Sequence, residues 1–301
     1  MNRLQIATAL IAAVWAPAGC GRGSAGSAKS DSTVMAERAA SLDSALARAD
    51  TGSARGKPIA KWVMGNRLQE ISGLALTADG RLLTHGDERG RVVEIDYRRG
   101  VVVKQFSVGE PALKADFEGI TVVGDAVVLL ASNGKLYQFD EGADGEHVDY
   151  TIRDPHLSHI CEFEGVAYDP TLKALLLACK NVYKKSLEGF LVIFRLPVEK
   201  GAAPLPELKI PLDSVIGTNQ WKDLRPSDIT VDPVSGNYVL VASREAAIIE
   251  ITPTGGIVFA RPLPGKHFQA EGVAITKDSI LMVSDEAVGS HPAAITLYRW
   301  P

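Results

Sequence analysis

Aromatic residues make up only 6% of the 301 residues, and cysteine occurs just three times. So few cysteines cannot staple a disulfide scaffold, and a folded core has to come from aliphatic burial. An excess of basic charge is also missing: 32 Lys and Arg stand against 36 Asp and Glu, for a formal net charge of −4. A nucleic-acid partner, whose phosphates call for a basic face, is therefore not expected. After residue 20 no run approaches a membrane-spanning length, so no transmembrane helix is expected in the mature chain. What is present is a 46% apolar fraction with 28 glycines and 16 prolines. That excludes collagen, coiled coil and a wholly disordered chain, and leaves two average domains or one large all-β domain rich in turns.

Residues 1–20 read MNRLQIATALIAAVWAPAGC. Arg3 gives a positive start, and Leu4 to Trp15 is an apolar run too short to span a bilayer that ends in small residues, which reads as an export signal. The site Ala18-Gly19-Cys20 resembles a bacterial lipobox, in which the cysteine is acylated and becomes the first mature residue; Pro17 departs from the aliphatic residue usual there. Ordinary cleavage near Ala18, with Cys20 a bystander, is the alternative. With Gly21 after the cysteine, the expected location is the periplasmic side of an outer membrane or the cell surface, lipid-anchored through Cys20. Residues 21–56 are rich in Gly, Ser and Ala and read as a flexible tether. Within them Met35 to Ala49 has the spacing of a short amphipathic helix through Met35, Ala39, Leu42 and Leu46. Gly21 to Gly26 fits the dinucleotide pattern G-x-G-x-x-G, but without a preceding strand and a following helix it has no phosphate to hold.

From residue 57 to 301 short β-branched runs alternate with turn residues. Five segments resemble one another: Glu70-Ile-Ser-Gly-Leu74, Asp116-Phe-Glu-Gly-Ile120, Glu162-Phe-Glu-Gly-Val166, Arg225-Pro-Ser-Asp-Ile229 and Gln269-Ala-Glu-Gly-Val273. Their third residues, Ser72, Glu118, Glu164, Ser227 and Glu271, are separated by 46, 46, 63 and 44 residues. A period near that length with several strands per unit predicts an all-β, five-bladed β-propeller with four-stranded blades. The second blade is expected to run through Gly119 to Val123, Ala126 to Ala131, Lys135 to Asp140 and His147 to Arg153. The last repeat ends one strand short, and Pro58 to Met64 is predicted to close it as the outer strand, removing exposed sheet edges. The surplus of the third repeat is expected in Asn181 to Gly189 or in Pro211 to Leu224.

These motifs, with Tyr168-Asp169-Pro170 and Val231-Asp232-Pro233 trailing two of them, resemble the SdiA-regulated, YjiK-like family of bacterial envelope proteins. Esterase-like and phytase-like propellers are a looser match. The resemblance implies a calcium-associated five-bladed propeller with no well-established enzymatic activity. It matches Glu118, Glu164 and Glu271 to the acidic positions that open the inner strands. Ser72 and Ser227 depart from that pattern, and Asp228, standing where the other repeats carry glycine, is expected to compensate.

Equivalent positions of radial repeats lie at one height around one axis, so the three glutamates are expected to converge. Converging carboxylates raise one another's pKa unless a cation is present, and Ca²⁺ accepts six to eight such oxygens. Two readings follow: a Ca²⁺ site of Glu118, Glu164, Glu271 and Asp228, or a structural motif whose carboxylates bond neighbouring amides. A rim at the ends of the second strands, with Asp87, Asn133, Lys180, Arg244, Glu245, Asp285 and Glu286, is expected to bind a small polar or phosphorylated ligand or an envelope protein. In that scheme Lys180 and Arg244 would hold an anion. His156, His159 and Cys161 have a metal-like spacing, but the stretch reads as a connecting loop. Cys161 and Cys179 can form a disulfide if the hairpin register brings them opposite. The leading expectation is a monomeric, lipid-anchored, non-catalytic calcium-binding propeller. Its rivals are a calcium-dependent hydrolase of phosphoesters or lactones, with Glu245 or Glu286 as base, and a pure protein-interaction propeller.

Overall fold

The computed structural model describes residues 31–50, 56–65 and 68–301. The export signal, Cys20 and much of the expected tether lie outside the described residues. Strands gather into five sheets around one axis. Blade one comprises β2 (Ile71–Leu76), β3 (Leu82–Gly86), β4 (Arg91–Asp96) and β5 (Val101–Val108). Blade two has β6 (Phe117–Val123), β7 (Ala126–Ala131), β8 (Leu136–Asp140) and β10 (Tyr150–Arg153). Blade three has β11 (Cys161–Asp169), β12 (Ala174–Val182), β13 (Phe190–Pro197) and β14 (Leu208–Pro211). Blade four has β15 (Asp228–Val231), β16 (Tyr238–Ala242), β17 (Ala247–Ile251) and β18 (Ile257–Pro262). Blade five has β19 (Ala270–Ile275), β20 (Ile280–Asp285) and β21 (Ala294–Arg299), and β1 (Ala60–Val63) completes it by pairing antiparallel with β21. The predicted five-bladed propeller and its closing N-terminal strand are both present.

The core lies between blades rather than within one, because alternate residues of a strand face opposite sides of its sheet. On β12, Leu176 and Ala178 pack towards blade four, whereas Leu175, Leu177 and Cys179 pack towards blade two. Two buried aspartates add polar ties across the seams. Asp169 accepts the Thr171 and Leu172 amides and also the Tyr238 hydroxyl of blade four at 2.6 Å. Asp232 accepts the Val234 amide, the Ser235 hydroxyl and the Trp300 indole N–H from beyond blade five, the last at 3.2 Å. The repeated Asp-Pro motifs thus make turns and tie neighbouring blades together.

Three expectations change. The stretch His147 to Arg153 is divided: β9 (His147–Val148) runs parallel to β5 of blade one, and only Tyr150–Arg153 belongs to blade two. The helix expected over Met35 to Ala49 is longer, as α1 (Asp31–Asp50), and it packs on the propeller. Leu42, 1% exposed, enters the seam of blades five and one with Met64 and Leu68, and Asp43 pairs with Arg98. The third-repeat surplus occupies both candidate stretches, as a 3-10 turn at Lys185–Leu187 and as α2 (Leu212–Ile216), which bury Leu187 and Val215. No described helix is long and apolar enough to cross a membrane.

Candidate functional site: an acidic vestibule above a narrow waist

The inner strands approach closest at Gly73, Gly119, Gly165, Asp228 and Gly272. A Cβ on Gly119 would lie 2.8 Å from the Val166 nitrogen, and one on Gly165 would lie 2.6 Å from the Asp228 Cα. Only glycine permits backbones to meet at such distances. Among these five aligned inner-strand positions Asp228 is the one that is not glycine. Its Oδ1 accepts the Ile229 amide at 2.8 Å and its Oδ2 accepts the Val273 amide of blade five at 2.7 Å, with the Leu74 amide of blade one a third backbone donor acting on it. Its carboxyl is thus reached from the consecutive blades four, five and one. Asp228 therefore ties these blades together at the waist, each of its oxygens accepting a backbone amide there. Burial raises its pKa well above the ordinary carboxylate value despite those bonds.

Above the waist, where the inner strands begin, Glu118, Glu164 and Glu271 converge as expected. Burial pushes Glu118 up to about 9, with the charge of Glu164 the next contribution. Glu271 is pushed up to about 8, again by burial and then by Glu164. Glu164, only 3% exposed, reaches about 7 through burial, held back by a hydrogen bond from Lys180. The Lys180 ammonium pairs directly with Glu164. Burial opposes the charge on Lys180, but Glu164, Glu118 and Glu271 outweigh it and keep its pKa above the ordinary lysine value. Lys180 thus belongs to the ring rather than the rim, as its built-in counter-ion.

The remaining rim residues divide. Asp285 is buried, not exposed: its Oδ2 bonds His267 Nδ1 at 2.8 Å, its Oδ1 accepts the Phe268 amide at 2.9 Å, and His267 Nε2 lies 2.8 Å from the Tyr298 hydroxyl. This Asp–His–Tyr chain braces blade five and had no signal in the repeat pattern. Glu286 is held by Gln269, and Glu245 accepts the Arg225 amide at 3.1 Å, so neither expected base is unengaged. Asn133 accepts the Lys135 amide of its own turn, and Arg244 is exposed. Asp87 belongs to a second acidic group: its charge, then burial, raises Glu70, and burial followed by Asp87 and Glu70 raises Glu286. His156 and His159 stay in the loop before blade three, while Cys161 is joined to Cys179 in a disulfide with a Cα–Cα distance of 5.7 Å.

The carboxylate chemistry of the ring suits Ca²⁺, but its arrangement does not. Lys180 occupies Glu164, Asp228 faces amides, and among the described residues no three Asp, Glu, His or Cys side chains are grouped to hold a metal. Below the waist the character reverses. A cavity of about 470 Å³ opens there, lined by Leu74, Ile120, Val166, Ile229 and the strand ends beyond them, with Tyr97 and Tyr168 at its side. The sequence reading missed this apolar funnel, although the aliphatic residue following each Glu-Gly pair was its signal.

No family model matches the chain, nor does any curated protein. Solved propellers do resemble it. Glutaminyl cyclase of Myxococcus xanthus matches with a TM-score of 0.53 at 13% identity, over 80% of this chain and 94% of that one. The PQQ-bound aldose sugar dehydrogenase of Streptomyces coelicolor matches with a TM-score of 0.51 at 12% identity, over 80% and 96% of the two chains. At such identities the likeness is one of fold.

Proposed function

We propose that the chain is an exported, lipid-anchored binding propeller of the cell envelope, akin to the SdiA-regulated, YjiK-like proteins, and that the acidic vestibule receives its ligand. The observation that carries this reading is the convergence of three glutamates from separate repeats at one mouth of the axis, with a single lysine among them. Such a ring favours a ligand bearing a cation with N–H donors, which can replace the Lys180 ammonium like for like. A phosphorylated ligand suits it poorly, because the charge on Lys180 is already matched. Ca²⁺ enters this reading only by displacing Lys180. The role is binding rather than catalysis, since Glu245 and Glu286 are both committed to protein donors.

Calorimetric titration with 1,5-diaminopentane as probe tests the reading. Binding should release protons, because a cation favours the ionised glutamates, and should be lost in Glu118→Gln/Glu164→Gln/Glu271→Gln. Affinity unchanged by the triple substitution would overturn it. The anchor is tested separately: labelled palmitate should enter the wild-type protein and not Cys20→Ala.

A further inference from the structure

The funnel below the waist selects for a ligand unlike the one the vestibule favours. Its wall carries no charged side chain between the waist and the mouth: Leu74, Ile120, Val166 and Ile229 lie deepest, and Val122 and Val231 follow on the same strands. At the mouth the charges are balanced, since Asp79 is paired with Arg81 and Asp278 directly follows Lys277. Groups suited to a hydroxyl stand beside them. Tyr97 and Tyr168 line the same cavity, and burial followed by the charge of Asp278 raises the Tyr97 pKa, which keeps that hydroxyl a donor. The five strands converge on the waist, where a Cβ on Gly119 would press on the Val166 nitrogen. The cavity of about 470 Å³ therefore tapers inward, and its deep end admits a chain more readily than a ring. The polypeptide that precedes the propeller is fastened at this same end. Tyr97 opens the turn between β4 and β5, where the Arg99 carbonyl accepts Arg38 of α1 at 3.1 Å and Arg98 pairs with Asp43. Residues 21–30 stand between Cys20 and α1 and can span no more than about 35 Å.

We infer that the funnel is a second binding site, for the tail of an uncharged single-chain membrane lipid whose head carries hydroxyls, a monoacylglycerol in chemical class. The tail displaces water from the aliphatic wall, and the hydroxyls meet Tyr97, Tyr168 and Asp278 at the mouth. A fatty-acid carboxylate is disfavoured there. It would face Asp278 and give up hydration for a lysine, Lys277, that is itself exposed to water. The membrane as the source of the ligand rests on the lipid anchor proposed above, which holds the funnel end near the bilayer. The site itself depends neither on the anchor nor on the acidic vestibule.

The test is a calorimetric titration of the whole mature protein carrying Cys20→Ala, so that no acyl group of its own competes, with straight-chain 1-alkanols from butanol to decanol. Affinity should rise about fourfold with each added methylene and level off once the funnel is full. The alkanoate of equal length should bind at least about tenfold more weakly. Val122→Trp fills the funnel from a half-buried position, so it should lose alkanol binding and keep the diamine response of the vestibule. Should its thermal melt show that it does not fold, Val231→Trp gives the same comparison. Absence of saturable alkanol binding, or binding unchanged by the tryptophan, overturns the site. Equal affinity for the alkanoate overturns the choice of an uncharged ligand. In a second arm the protein is mixed with phosphatidylcholine vesicles holding labelled monooleoylglycerol and then separated from them. Label should leave with the unblocked protein and not with Val122→Trp. Alkanol binding without such transfer overturns the membrane lipid as the occupant.

Discussion

The two ends of the axial channel are built from the same five strands and have opposite chemistry. Each inner strand enters with a polar residue, passes the waist at glycine or Asp228, and leaves with an aliphatic one. Above the waist, partial burial of three carboxyls produces raised pKa values and demands a counter-ion. Below it, the next residues of the same strands line an apolar funnel. A shift of one or two positions along a strand thus changes the solvent a ligand would meet, and the waist keeps the two environments apart. Position along the repeat, rather than fold class, decides what each mouth can bind.

The waist is where this contrast is most exposed to disruption. Replacing Asp228 by Ala leaves buried amides of two or three blades unpaired, and urea unfolding should register a loss of about 4 kcal/mol. Both mouths should suffer together. The disulfide acts on the upper end alone. Cys161→Ala/Cys179→Ala should lower stability by about 3 kcal/mol on a loop of this length, measured by the same method. It should also weaken the upper-site response to the diamine. At the opposite flank, Leu42→Ala should cost about 2–3 kcal/mol by opening a void under α1. Diamine binding should be unaffected, so any change there would show the two ends to be coupled.

The smallest effect concerns pH. The ring glutamates have native pKa values raised above their unfolded values. The native state therefore holds protons more tightly, and its stability is greatest below about pH 4.5 and is lost as pH climbs through 7 to 9. Glu271→Gln removes one such group. It should leave the melting temperature unchanged at pH 5 and raise it by about 3 °C at pH 9. A drop at pH 9 would mean that the carboxylate is stabilised by partners other than Lys180.

Much of this architecture is legible in the amino-acid order because radial repetition is periodic. The blade count, the convergence of Glu118, Glu164 and Glu271, and the closing segment near Ala60–Val63 all follow from spacing alone. What spacing does not carry is which neighbour satisfies each buried polar group. Asp228 aligns with glycines, yet its carboxyl is claimed by amides of three strands, a result of tertiary approach. Lys180 reads as rim charge until the irregular pairing on β11 and β12 turns it inward. Asp285 reads as rim charge, but its register partners in other blades are Gly86, Ala131 and Cys179, and His267, outside the repeat register, holds it in the core. The split of His147 to Arg153 between two sheets likewise depends on β5 offering an edge, which no local pattern records.

The pairing of β1 with β21 joins residues more than 200 positions apart. Because loop closure over such a span is entropically unfavourable until neighbouring contacts exist, this clasp should be among the last parts of the molecule to form. A chain crossing a membrane amino-terminus first would therefore remain an open arc until Ala294–Arg299 emerged on the far side. The fastening that finishes the circle is thus also the step that delays it.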